Sequence, residues 1–225
     1  MLQKSNIINP ATLTGSRPGP VPYRLDPHLS VLTKVAPEGS QWLHEIKHDG
    51  FRMTITIRNG KVCLWTRNGY DWTYRLRTLA SAINDLGLEN TAMDSELVCM
   101  DQEGRTDFEL LQSCISGGKR AMPMLYLFDI VHLDYTDLSR VQLVHRKELL
   151  HQILMDRTDG ITSTLRYSDH VIGNGHDVYE QSCRLGLEGI VSKRIDSKYQ
   201  EGKRSKDWLK VKNPVYGRPF KSKLN

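Results

Sequence analysis

The sequence predicts an α+β domain built on antiparallel β-sheets flanked by helices, and three observations carry that expectation. Residues 51–57 alternate apolar and polar side chains, and Asn59-Gly60 then supplies the positive φ angles of a tight hairpin turn onto a second strand-like run, residues 61–66. Helical and strand patterns are mixed along the chain without the regular strand–helix–strand alternation of a parallel sheet. The 225 residues, 39% hydrophobic and 25% charged, suffice for a substantial core, as in ordinary soluble globular proteins.

In chain order, residues 1–22 carry Pro10, Pro18, Pro20 and Pro22 with few apolar residues, so an extended N-terminal arm outside the core is expected. The folded domain is expected over 23–213. From Trp42 a strand runs into a turn at Asp49-Gly50, followed by the hairpin described above. A helix is expected to open near Asp71 or Thr73, with Leu76, Leu79, Ala80 and Ile83 on one face. A strand over 91–101 follows, then a short helix over 108–115 stopped by Gly117-Gly118. Residues 124–133, MLYLFDIVHL, read as a strand buried on both faces. Two further amphipathic helices cover 146–156 and 177–185, the second stopped by Gly186, with Gly173-Asn174-Gly175 a turn before it. The last strands are LEGIVSKR and WLKVK, and a basic tail occupies 214–225.

Bulk properties exclude some classes. The net charge of +5 leans toward a polyanionic partner, although many enzymes without one are equally basic. Cys63, Cys99, Cys114 and Cys183 form no CxxC pair or zinc-spaced cluster, and such scattered cysteines read as reduced core residues. The N-terminus lacks the apolar stretch of a signal peptide, and residues 124–133 are too short to span a bilayer. A cytoplasmic protein without membrane association is expected.

Residues two apart on a strand share a face. Glu45 and Lys47, Asp94 and Glu96, and Lys210 and Lys212 are each spaced this way, while Leu209 and Val211 point into a core; Glu188 begins a further strand that carries Lys193. Lysines neutralise phosphate oxygens and carboxylates hold Mg²⁺, so a site made of both suits phosphate transfer from a nucleotide. Any one such pair is more often a solvated strand face; the argument rests on their combination.

That combination, in this order, resembles the covalent nucleotidyltransferase superfamily of DNA ligases and capping enzymes. Lys47-His48-Asp49-Gly50-Phe51-Arg52 resembles the KxDGxR nucleotide-attachment motif, Thr66-Arg67-Asn68-Gly69 the S/T-R-N-G motif, and Asp94-Ser95-Glu96 the D-G-E motif. Phe128-Asp129 resembles the motif that follows it, Glu188-Gly189-Ile190-Val191-Ser192-Lys193 resembles E-G-x-V-x-K, and Trp208-Leu209-Lys210-Val211-Lys212 resembles W-x-K-x-K. The wording around the motifs is most similar to the bacterial ligase D family of end-joining repair.

The resemblance implies the DNA ligase adenylation-domain fold and a set of roles. Lys47 would attack ATP and carry AMP covalently, with Lys210 and Lys212 on the α-phosphate and Lys193 joining them. Arg52 and Glu96 would contact the ribose, Arg67 phosphate or sugar, and Phe128 would stack on adenine. Glu188 and Asp94 would supply carboxylates to Mg²⁺ or Mn²⁺. Glu45, Asp49 and Gly50 are expected beside the nucleotide, Asp49 shaping the turn and Gly50 letting the backbone approach. The implied partner is nicked double-stranded DNA, with a separate OB-fold domain and a repair polymerase or nuclease as further candidates.

Two departures stand out. Ser95 replaces the central glycine of D-G-E. The ligases of this family continue into an OB-fold after W-x-K-x-K, whereas the 12 residues after Asn213 are too few for one. The expectation is ATP binding, slow self-adenylation and poor sealing by these residues alone. An RNA ligase or capping-type guanylyltransferase, and a non-catalytic module that binds nicked DNA, remain alternatives.

Overall fold

The computed structural model describes residues 7–118, 121–158 and 164–217. Its layers run helices, sheet, sheet, helix. The first sheet contains β1 (Arg17–Pro18), β4 (Phe51–Arg58), β5 (Lys61–Thr66), β6 (Thr91–Val98), β7 (Met124–Leu133), β8 (Thr136–Asp137) and β9 (Leu165–Tyr167). Its order is β1-β8-β7-β6-β4-β5, and β9 pairs in parallel beside β7. The second sheet has the order β10-β3-β11-β12-β2, from β2 (Leu29–Leu32), β3 (Trp42–Ile46), β10 (His170–Ile172), β11 (Gly189–Arg194) and β12 (Arg204–Lys212). Most pairings are antiparallel; β12 with β2 is parallel.

The alternation in β4 explains how the first sheet is used. Met53, Ile55 and Ile57 are buried in the larger core with Leu79 and Ile83 of α1 (Arg77–Asn84), Leu111 of α2 (Phe108–Ile115) and Leu149, Leu150 and Ile153 of α3 (Leu143–Arg157). The opposite face of β4 is buried too, beneath residues 23–25: the Thr54 hydroxyl donates to the Leu25 carbonyl at 2.8 Å and that of Thr56 to the Tyr23 carbonyl at 3.2 Å. Hydroxyls satisfied in this way let a polar strand face be covered. Leu43, Phe128, Val131, Tyr199 and Trp208 form a smaller core between the sheets. On the far side of the second sheet, α4 (Gly175–Arg184) covers Ile190 and Val211.

Several boundaries differ from the expectation. The first helix begins at Arg77 because the stretch before it follows the edge of β5: Asp71 bridges Trp65, and Trp72 N–H donates to the Leu64 carbonyl at 2.8 Å. The strand expected over 91–101 ends at Val98. The N-terminal arm is extended but packed: Arg17 pairs with Asp137 at 2.7 Å, Ile7, Ile8 and Leu13 lie on the core, and Val21 is buried. The basic tail residues 218–225 lie outside the described residues, but Tyr216 is bonded to Asp49 at 3.0 Å. No described helix is long and apolar enough to cross a membrane.

Candidate active site

The register of the second sheet assembles one side of the site. Glu45 of β3, Val191 of β11 and Lys210 of β12 lie in one row across three strands, and Leu43, Lys193 and Trp208 in the next row on the same face. Lys47 follows β3 directly, its N–H donating to the Gly189 carbonyl at 2.9 Å, and Gly189 is registered with Lys212. Opposed residues in antiparallel strands project to the same face. Backbone pairing alone thus aligns Lys47, Glu188, Lys210 and Lys212, which are up to 165 residues apart in sequence.

The first sheet supplies the facing side. Arg52 of β4 is registered with Glu96 of β6. The β6–β7 register shifts between Asp94 and Ser95, leaving Phe128 unopposed and turned into the space between the sheets. Between the two sheets opens a cleft of about 1000 Å³. Lys47, Gly50, Arg52, Arg67, Glu96 and Phe128 line it, as do Glu45, Glu188, Lys193, Lys210 and Lys212.

Positive charge crowds around the lysines. Burial, then Lys47, Arg204, Lys212 and Arg67, push the Lys210 ammonium below its ordinary range. Glu188 stands against them, its carboxylate 2.7 Å from Lys47 Nζ and 3.2 Å from Lys212 Nζ. Glu96 is pushed up to about 7 by burial, which Arg52 and Lys47 only partly offset.

Beneath the cleft lie buried ion networks. Arg52 donates from Nε and Nη2 to the two oxygens of Asp94, each at 2.6 Å, and Tyr199 donates to Asp94 Oδ2 at 2.6 Å. Burial alone would lower the Arg52 guanidinium, but Asp94 outweighs it and raises it. Glu45 takes Lys147 on one oxygen at 2.6 Å and Lys193 on the other at 2.7 Å. Those two ammoniums overcome the burial of Glu45 and hold its carboxyl below the ordinary range, while burial pushes Lys193 down to about 8. Asp129 receives Arg146 on both oxygens at 2.7 and 2.8 Å, and the pair is wholly buried.

Three expected placements change. Asp94 lies outside the cleft lining with both oxygens engaged by Arg52 and Tyr199, so it anchors Arg52 and presents no oxygen to a metal. Asp49 faces away from the cleft toward Tyr216 and a second, smaller cavity. Gly50 keeps its expected place on the cleft lining, and the neighbouring strand also requires a glycine there, because a Cβ would collide with the Leu97 carbonyl oxygen. Lys193 is turned to Glu45, with its Nζ 4.3 Å from the ring centroids of both Phe128 and Trp208, and not to the Glu188 carboxylate that Lys47 and Lys212 share. Ser95, the departure from D-G-E, donates to the Met53 carbonyl at 2.9 Å inside the sheet and leaves the cleft untouched.

Sequence reasoning missed Arg146, Lys147, Tyr199 and Arg204, and named Trp208 in its motif without giving it a role. Trp208 forms the floor with His28 stacked on it at 4.3 Å, and burial lowers that imidazole to about 4, so it is neutral.

The arrangement can hold a polyphosphate at the lysine end and a flat ring near Phe128. Among the described residues no three His, Cys, Asp or Glu side chains gather as a cage for a metal. Mg²⁺ keeps its waters and takes one or two carboxylates plus phosphate oxygens, so Glu188 beside a bound polyphosphate fits that ion.

The profile of the family described as the ATP dependent DNA ligase domain matches residues 27–212. The chain is 39% identical over 193 residues to the multifunctional non-homologous end joining protein LigD of Pseudomonas aeruginosa, covering 86% of this chain and 22% of that protein. It is 30% identical over 202 residues to the bifunctional non-homologous end joining protein LigD of Bacillus subtilis, covering 81% and 33%. The chain therefore spans no more than 33% of the length of either relative. Among solved structures, the ligase domain of M. tuberculosis LigD matches with a TM-score of 0.73 at 30% identity, over 84% of this chain and 60% of that one. A mycobacterial DNA ligase D complexed with ATP and MES matches with a TM-score of 0.71 at 31% identity, with the same coverage. A match that runs from before the first motif through Lys212, on the same fold, makes this chain a member of the ATP-dependent DNA ligase domain family.

Proposed function

We propose that the chain carries out the nucleotide-transfer chemistry of an ATP-dependent DNA ligase. The observation that carries this reading is the gathering of Lys47, Arg67, Arg204, Lys210 and Lys212 at one place in the cleft, with the Glu188 carboxylate against them. So much unmatched positive charge costs free energy unless an anion binds, and a triphosphate supplies it.

In the first step Lys47 Nζ attacks the α-phosphorus of ATP; an N–P bond forms, the bond to the bridging oxygen breaks, and pyrophosphate leaves with the electron pair. Attack requires the neutral amine. The 2.7 Å contact with Glu188 holds Lys47 Nζ in place in the cleft. Glu188 would hold Mg²⁺ together with phosphate oxygens, and the ion would neutralise charge on the departing pyrophosphate. Lys210 and Lys212 remain on the α-phosphate and stabilise the charge that develops there. In the next steps AMP passes from Lys47 to the 5′-phosphate of a DNA nick, and the 3′-hydroxyl then displaces AMP to restore the phosphodiester.

Base and sugar contacts follow the same geometry. Phe128 offers its ring to adenine, and Glu96, near half-ionised at neutral pH, can accept from a ribose hydroxyl. The guanylyltransferase and non-catalytic readings are not favoured by the family match. Incubation with α-labelled ATP and, separately, α-labelled GTP tests the reading: label retained on the denatured protein from ATP alone is expected. Retention from GTP, or from neither, would contradict it.

A further inference from the structure

Beyond the cleft, residues 67–77 (RNGYDWTYRLR) combine rigid backbone, exposed rings and uncompensated arginines. The backbone is fixed at several points. Thr66 N–H donates to the Tyr70 carbonyl at 2.9 Å, Gly69 N–H to the Thr66 carbonyl at 2.8 Å, and Leu64 N–H to Thr73 Oγ1 at 2.9 Å. Trp72 is edge-on to Phe51 with centroids 5.5 Å apart, which pins the segment to the core. Yet Tyr70 is 60% exposed and Tyr74 is 85% exposed.

The charges around these rings lack acidic partners. Among the described residues, Arg67, Arg75 and Arg77, three arginines within eleven residues, form no salt bridge. Arg75 and Arg77 lie instead over rings, 5.5 Å from Trp72 and 5.9 Å from Tyr74. The nearby carboxylate, Asp71, is turned to Thr73, whose N–H it accepts at 2.8 Å. Arg67, Tyr70 and Arg75 also line the cleft, so the surface is continuous with the place of Lys47.

Two exposed tyrosines alone would be unremarkable. Rings held on a hydrogen-bonded turn lose little entropy on binding, and arginines without carboxylates favour a phosphate chain. We propose that Tyr70, Tyr74 and Arg77 form a ledge that receives the DNA strand bearing the 5′-phosphate as it leaves the cleft, with the rings against sugar and base faces and Arg77 on a phosphate. The ledge rests on the ligase reading for its choice of substrate and extends it to residues outside the six motifs.

The test uses the unaltered chain and three variants, Tyr74→Ala, Tyr74→Phe and Arg77→Ala, in fluorescence-anisotropy titrations with a labelled nicked duplex at 50–200 mM salt (concentrations on the order of those in which such slopes are read). Tyr74→Ala is expected to weaken binding on the order of tenfold with an unchanged salt slope, because stacking is not ionic. Tyr74→Phe keeps the ring and should bind as the unaltered chain does. Arg77→Ala should reduce the slope of log K against log salt by about 1, the loss of one phosphate contact. Label retention from ATP, which uses none of these residues, reports folding and the ligase reading separately. Wild-type affinity and slope in both alanine variants would overturn the ledge, as would an unaltered chain that binds the duplex without salt dependence. Absent label with intact ledge behaviour would overturn only the proposed reaction.

Discussion

Asp94 separates a structural from a metal-binding role, and its replacement by alanine has a calculable cost. The carboxylate is fully buried and takes two short bonds from Arg52 and one from Tyr199. Removing one partner of a buried ion pair costs about 3–5 kcal/mol, because the other charge is left uncompensated. Arg52 is 20% exposed at the cleft and can recover some hydration, which favours the lower end. The stranded Tyr199 hydroxyl pushes the other way, by about 1 kcal/mol. A net loss of about 3–4 kcal/mol corresponds to a fall in Tm of roughly 6–16 °C for a chain of this size. Thermal unfolding by circular dichroism checks it, paired with a Mg²⁺ titration of self-adenylation at a temperature where the variant is folded. The expected result is a large drop in Tm, weaker ATP binding through the loosened Arg52, and an unchanged Mg²⁺ midpoint. A Tm within a degree or two of the unaltered chain, with a Mg²⁺ midpoint raised tenfold, would return Asp94 to the metal.

Phe128→Leu should weaken ATP affinity by about 1–3 kcal/mol, the range for base stacking on an aromatic ring, and more than it lowers stability; calorimetric titration and a melt separate the two, and a collapsed Tm with unchanged affinity would make the ring plain core. Glu188→Ala should leave the fold intact and slow self-adenylation by at least tenfold, read by label retention at saturating Mg²⁺; an undiminished rate would exclude the carboxylate from the reaction. Glu96 carries a pH signature: with its folded value raised to about 7 from an ordinary 4.5, its contribution to stability is full below 4.5 and is lost as pH rises through 7. Glu96→Gln, which cannot ionise, should therefore gain in Tm relative to the unaltered chain between pH 5 and 8 without nucleotide; a Tm difference independent of pH would contradict the shift.

What could be read from the sequence was what period and local turn chemistry encode. The β4–β5 hairpin follows from alternation plus Asn59-Gly60, both at positive φ. Helix α2 and strand β7 lie where the pattern placed them. The start of α1 was not legible, because the Trp65–Asp71 bridge draws residues 71–73 along β5 in competition with their helical capping signals. Long-range partners were hidden for a different reason. Arg146 and Lys147 occupy the same α3 stripe as Leu143, Leu150, Ile153 and Leu154, at positions where apolar residues are expected. Charges in an apolar stripe are a signal that buried carboxylates must face them, and Asp129 and Glu45 do. The i, i+2 rule placed Asp94 and Glu96 on one face correctly, yet only the fold reveals that Arg52 and Tyr199 occupy the first while the second meets the cleft. Motif spacing likewise could not show that Gly50, on the cleft lining, is also packed against the Leu97 carbonyl.

Covalent attachment of AMP to Lys47 can be read without ambiguity by peptide mass spectrometry. The chain is incubated with ATP and Mg²⁺, quenched without acid, digested and mapped, beside a Lys47→Ala control. One AMP adduct is expected, on the peptide containing Lys47, acid-labile as a phosphoramidate is, with no adduct anywhere in the control. An adduct on another lysine that persists in Lys47→Ala, or no adduct on the folded, ATP-bound chain, would contradict it.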